Sequence, residues 1–242
     1  MAVDSLKLML GMDIKVNDFI TIKQPSIIDI AEYGEQKYYG MISTLIATPA
    51  DLKSLLWDKY KIDWCKISEF EVFMMFCPNF TPNETGILLG DLDLSLFKSI
   101  KNEETSEIFL YDELHNYEIH EQDYQMLMDY ISGMHGLKRV NKKAKNKYTW
   151  KILLEVDRND KILAASKPYV SQLKNLLSGM LAYPGFKYKR SELNECDIYE
   201  FMDTVQRAQI FVSSNALLHG IYGGMIDGSK LKKDCNWLRD IK

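Results

Sequence analysis

Apolar residues recur at helical spacing in a series of short runs and alternate at only a few places, which predicts a mainly helical chain with short hairpins. Leu6, Met9 and Leu10 share one helical face that Gly11 can end, and Ile14–Val16 and Phe19–Ile22 flank Asn17-Asp18 as a hairpin. A helical region starts at Pro25 and Ser26–Tyr33, and a second helix with Tyr38, Tyr39, Ile42, Leu45 and Ile46 runs to Ala47. Thr48-Pro49-Ala50-Asp51 reads as a helix start, with Thr48 as cap, Pro49 in the first position and Leu52, Leu55 and Leu56 on the buried face. Ser68-Glu69-Phe70-Glu71 is a capping box before Phe70, Phe73, Met74 and Cys77, and Pro78 ends that run.

Between Asn79 and Asn102 the pattern is weak, and Leu92, Leu94, Leu96 and Phe97 fit either a short strand or a helical turn. Ile108–Tyr111 and Tyr117–Ile119 read as strands around Asp112–Asn116, and Glu121–His135 as a helix closed by Gly136. Beyond the polar stretch 136–147 every signal is helical. One run holds Trp150, Leu153, Leu154 and Asp157, and a second is capped by Ser166 and ends at Pro184-Gly185. A third is capped by Asp197, with Ile198, Phe201, Met202, Val205 and Ala208 on one face, and a fourth runs from Asn215 to Gly223-Gly224. The expected fold is an α-rich α+β protein: a mixed α+β domain over 1–136, a basic linker over 137–147 and a C-terminal helical bundle over 148–242.

Composition narrows the class. Of 242 residues, 46% are hydrophobic and 26% charged, the balance of a folded globular chain. A net charge of −4 disfavours nucleic acid as the main partner, because that affinity comes from Lys and Arg neutralising phosphates. Cys65, Cys77, Cys196 and Cys235 show no CxxC spacing and read as free thiols of a reducing compartment. The opening Met1-Ala-Val-Asp4 lacks the positive start of a signal peptide, and no apolar run approaches the about 18–20 residues that span a bilayer, so no membrane association is expected.

Catalytic motifs are absent: the sequence has no Walker pattern, GxSxG, HExxH or GxGxxG, and neither an enzyme nor a cofactor is expected. His115, His120 and His135 lie near Asp112, Glu113 and Asp123, but their spacing matches no standard metal site, and a loop, a helix start and a helix end account for them. Asp91-Leu92-Asp93 begins like a calcium loop but lacks the required glycine and terminal glutamate.

Two features point to binding. The segment with Lys138, Arg139, Lys142, Lys143, Lys145 and Lys147 is either a solvated linker or a contact for an acidic partner. An alternative function follows from it, that of a nucleic-acid-associated regulatory protein, although aromatic residues appear only at Tyr148 and Trp150. The second feature is the run Phe70–Phe76, which is apolar on every helical face and so predicts contact with another domain or chain. Phe70, Phe73, Met74 and Phe76 are candidate contact residues, with Phe201, Met202 and Val205 on the later helix.

The chain also resembles a family of tailed-phage tail morphogenesis proteins from phages of Gram-positive hosts. In the N-terminal half the resemblance rests on Ile22-Lys23-Gln24-Pro25-Ser26-Ile27, Tyr38-Tyr39, Thr48-Pro49-Ala50-Asp51-Leu52-Lys53, Leu56-Trp57-Asp58 and Ile62-Asp63-Trp64. In the C-terminal half it rests on Pro184-Gly185-Phe186-Lys187-Tyr188, Ile198-Tyr199-Glu200-Phe201-Met202-Asp203 and Leu217-Leu218-His219-Gly220-Ile221-Tyr222-Gly223-Gly224. It implies a tail assembly chaperone-like factor in the host cytoplasm that binds the tape-measure protein and tail-tube subunits, with no catalytic set to carry over.

Overall fold

Most helix starts obey local capping chemistry. Ser26 and Asp29 form a reciprocal capping box at the start of α2 (Ile27–Tyr33), and Ser68 and Glu71 do the same for α5 (Glu69–Phe76). The computed structural model that shows these bonds describes residues 4–104 and 106–241; Met1–Val3 of the N-terminal reading lie outside them. Before α2, α1 (Ser5–Met9) ends at Gly11, whose φ of 64° suits a residue without Cβ. The hairpin follows as β1 (Ile14–Lys15) paired with β2 (Thr21–Ile22). Within α1 the predicted face is reversed: Leu6, Met9 and Leu10 are exposed and Leu8 is the buried residue.

After α3 (Glu35–Leu45), the Thr48-Pro49 signal makes a turn and not a helix. Asp51 accepts from both the amide and the hydroxyl of Thr48, at 2.9 and 2.7 Å, which closes 48–51 on itself, and α4 (Lys53–Tyr60) begins beyond it. The weak stretch after Pro78 holds α6 (Pro82–Leu89), a 3-10 turn over Leu94–Leu96 and β3 (Lys98–Lys101). The predicted strand pair is present as β4 (Ile108–Asp112) and β5 (Tyr117–Ile119), and β3 adds an antiparallel edge to it. Leu110 and Ile119 face inward from this sheet, and the Phe19 ring stacks on Tyr117 at 4.1 Å, which joins sheet and hairpin.

The remaining elements are α7 (Glu121–Met134), α8 (Lys147–Ala165), α9 (Gln172–Ala182), α10 (Arg190–Glu195) and α11 (Ile198–Tyr222). Two predicted starts move. Ser166 closes the end of α8 by donating to the Leu163 carbonyl, and Ser171 caps α9 instead. Asn215 starts nothing, because α11 runs through it without a break: no Pro or Gly interrupts 198–219, and the neighbouring Ser214 hydroxyl donates outward to the Asp234 carbonyl. The described residues thus form a mainly helical α-rich α+β fold with two small sheets.

Two hydrophobic clusters hold the elements. The larger takes Ile22, Ile42, Phe73, Leu127 and Ile131 from before residue 136 together with Leu173, Met180, Ile198, Phe201 and Val205 from after 147. The smaller joins Leu56, Trp64 and Val72 to Leu154, with Trp57 and Trp150 packed around them. In the smaller cluster Trp150 stacks on Trp64 at 4.8 Å and donates from Nε1 to Asp63. Helix α5 lies between the clusters, which explains its lack of a polar face: Phe70 and Phe73 enter the larger, Val72 and Met75 the smaller, and Phe76 touches both.

Candidate binding cleft

An open, largely apolar concavity of about 910 Å³ lies between α1, the C-terminal end of α9, the loop 183–188, α11 and the segment around Trp237. That volume falls in the range of small-molecule or peptide side-chain pockets. Its floor is a ladder one helical turn apart on α11, Tyr199, Asp203, Arg207 and Phe211. This ladder sits beside the face that buries Ile198, Phe201 and Val205 in the core, and the core face fixes its position.

Loop chemistry builds one wall. Tyr183 leaves α9 in an extended conformation, Pro184-Gly185 turns the chain, and the Phe186 amide donates back to the Tyr183 carbonyl at 3.0 Å. A Cβ at Gly185 would lie 2.8 Å from the Tyr183 ring, so any other residue there would push that ring aside. Phe186 and Tyr188 then pack ring to ring at 5.4 Å, and the Tyr188 hydroxyl donates to Glu200. That bond, helped by burial, pushes the Tyr188 phenol up to about 12.

The opposite wall is the chain's own C-terminal segment. Arg207 Nη1 donates to the carbonyls of Trp237 and Arg239 at 3.0 and 2.7 Å, and the Trp237 ring meets Phe211 edge-on at 5.8 Å. Leu6 and Met9, the exposed residues of α1, face the same space. Asp203 is the acid among these apolar groups: burial raises its pKa, and the charge of Arg207 acts against that. The cleft therefore offers a mainly aromatic and aliphatic lining with one half-buried carboxyl and the cations of Lys187 and Arg207.

The residues singled out by pattern occupy other places. Phe70, Phe73, Phe201 and Val205 are core residues, and Met74, Phe76 and Met202 are half-buried against the same core. Lys138, Lys142, Lys143 and Lys145 are exposed, whereas the Arg139 side chain is only 9% exposed. Arg139 pairs with Glu69 and donates to the Tyr124 hydroxyl and the Ile46 carbonyl, so it anchors the segment and is not free for a partner. In the sequence the core-facing stripe of α11 is a stronger signal than the cleft. The i, i+4 ladder from Tyr199 to Phe211 was the available clue.

The histidines are separated. His115 bonds Asp112, His120 bridges Glu107 and Glu118, and His135 is buried against Tyr38. Among the described residues no group of three or more His, Cys, Asp or Glu side chains is placed to hold a metal, and no helix is long and apolar enough to cross a membrane. Compared with known proteins, the chain matches no family model, no curated protein and no solved structure.

Proposed function

We propose that the chain is a phage tail morphogenesis factor, tail assembly chaperone-like, which binds the tape-measure protein and tail-tube subunits in the host cytoplasm without catalysis or a cofactor. The cleft receives an apolar segment of the tape-measure protein. One observation carries this reading: two of the three C-terminal stretches behind the family resemblance meet at the cleft. Pro184–Tyr188 supplies Gly185, Phe186, Lys187 and Tyr188 to its lining, and Ile198–Asp203 supplies Tyr199 and Asp203.

The test is co-expression with the tape-measure and tube proteins of the same genome, followed by affinity purification. Tape-measure protein is expected with the unaltered chain and is expected to be depleted with Phe186→Ala or Tyr199→Ala, whose thermal unfolding is measured in parallel. Absence of both partners from the purified material, or full retention by well-folded cleft variants, rejects the reading.

A further inference from the structure

We propose that the outer face of α8 and the lysines preceding it form one docking surface for an acidic amphipathic helix of a partner protein. The surface is separate from the cleft, and the inference does not rest on the tail-assembly reading.

Helix α8 is apolar on two opposite faces. One is buried: Leu154 lies in the smaller cluster, Trp150 and Leu153 pack against it, and Asp157 accepts from the Ser54 amide at 3.0 Å. The other carries Tyr148, Ile152, Val156 and Leu163, which are 75, 42, 48 and 56% exposed. Steps of four, four and seven residues align these side chains in one stripe about 22 Å long, at a rise of about 1.5 Å per residue. A surface helix ordinarily turns charged residues outward, so an exposed stripe this long marks a contact surface.

The charges beside the stripe choose the occupant. Lys142, Lys143, Lys145 and Lys147 are exposed and enter none of the ion pairs among the described residues. They are also held in place. Arg139 fixes one end of the segment, the Ala144 amide donates to Cys65 Sγ, and Asn146 caps α8 through the Thr149 amide. In a chain of net charge −4, a fixed group of unpaired cations running into an apolar stripe complements a helix with apolar residues on one side and carboxylates on the other. Nucleic acid would leave Ile152, Val156 and Leu163 without a role. An anionic lipid surface would meet the exposed Glu155 and Asp160 together with the lysines, whereas a helix lying along the stripe can place its carboxylates at the lysine end and away from both acids.

A fluorescent 21-residue helical peptide of Leu and Glu, with Leu at alternating third and fourth positions, tests the surface on the full chain. Binding is expected to fall about tenfold in Ile152→Glu/Val156→Glu and by a similar factor in Lys142→Glu/Lys143→Glu/Lys145→Glu. All these residues are exposed, and circular dichroism checks that the variants fold. Three outcomes overturn the proposal: no binding of the peptide, equal binding of a scrambled peptide of the same composition, or binding that survives the stripe substitutions. Duplex DNA or phosphatidylserine vesicles bound more tightly than the peptide through the lysines alone also overturn it, by making the surface a general polyanion site.

Discussion

Tyr38 donates its hydroxyl proton to Nε2 of His135 at 2.6 Å and so joins α3 to the C-terminal end of α7. The direction follows from the other ring nitrogen. Nδ1 lies 2.7 Å from the Ile131 carbonyl, which can only accept, so Nδ1 carries the ring proton and Nε2 is the acceptor of a neutral imidazole. Burial pushes the His135 pKa down to about 4, against a smaller upward pull from the Ile131 carbonyl.

This pair makes stability depend on pH. An unfolded histidine titrates near about 6.5. Between that value and about 4 the unfolded chain binds the additional proton, so the contribution is complete above the unfolded pKa and is lost as pH falls towards the folded one. For one group the slope reaches on the order of 1 kcal/mol per pH unit. Urea unfolding at pH 7, 6 and 5 should show a steeper loss for the unaltered chain than for His135→Gln; equal slopes would remove His135 as the cause. Tyr38→Phe keeps the ring but leaves Nε2 without its donor, and should cost about 1–3 kcal/mol at pH 7.

Much of this framework is legible in the sequence, and the parts that are not have physical reasons. The capping box at Ser68 uses residues three apart, so a local pattern reports it. Thr48 fails as a helix start because the same local bonds also close a single turn, and nothing in four residues distinguishes the two. Helix α5 looks like an interface because its partners, Trp64 on one side and Tyr124 on the other, are brought to it only by the tertiary fold. The cleft is harder still. Its walls come from α1, the loop 183–188 and the C-terminal segment; Tyr188 on Glu200 ties the loop to α11 and Arg207 on two backbone carbonyls ties the C-terminal segment, contacts that leave no spacing to read.

Arg139 is the clearest case of a residue whose role changes once its partners are known. Removing its guanidinium leaves Glu69, the Tyr124 hydroxyl and the Ile46 carbonyl without their donor. Arg139→Met is therefore expected to destabilise the chain by about 2–4 kcal/mol, because breaking one side of a largely buried pair strands the other. Lys142→Met, at an exposed neighbour, should stay within about 0.5 kcal/mol of the unaltered chain. Chemical denaturation of the two variants side by side checks the contrast, and similar losses would mean that the clamp contributes no more than a surface cation.

Trp150 should be what holds α8 to the N-terminal half. It stacks on Trp64, meets Trp57 edge-on at 4.8 Å and donates to Asp63 at 2.9 Å. Trp150→Ala is expected to cost about 3 kcal/mol, while Trp150→Phe keeps ring contact and loses the hydrogen bond, for about 1 kcal/mol. Detachment of α8 would free the backbone around the exposed lysines before it, so trypsin should cut Trp150→Ala faster within 142–147. A variant cleaved at the unaltered rate would show that other contacts hold the helix.

Glu35 links the start of α3 to the start of α9 and, through α9, to the cleft. Its carboxylate accepts from the Gln172 and Leu173 amides at 2.9 and 2.8 Å, two donors that the first turn of α9 cannot satisfy internally. Burial alone would raise its pKa, but those amides and the Ser171 hydroxyl hold it below the usual glutamate value. The stabilisation is thus present above the unfolded pKa and lost as pH falls through the folded one. Glu35→Ala should cost about 1 kcal/mol, the ordinary worth of a cap, and Glu35→Gln less. The loss should be local: hydrogen exchange in 171–182 is expected to quicken while α7 stays protected. Because Met180 of α9 lines the cleft, the proposed function further predicts that the same variant retains less tape-measure protein. Unchanged exchange in 171–182 would mean that α9 is held by Leu173 and Met180 in the core, and that the cleft wall does not depend on this cap.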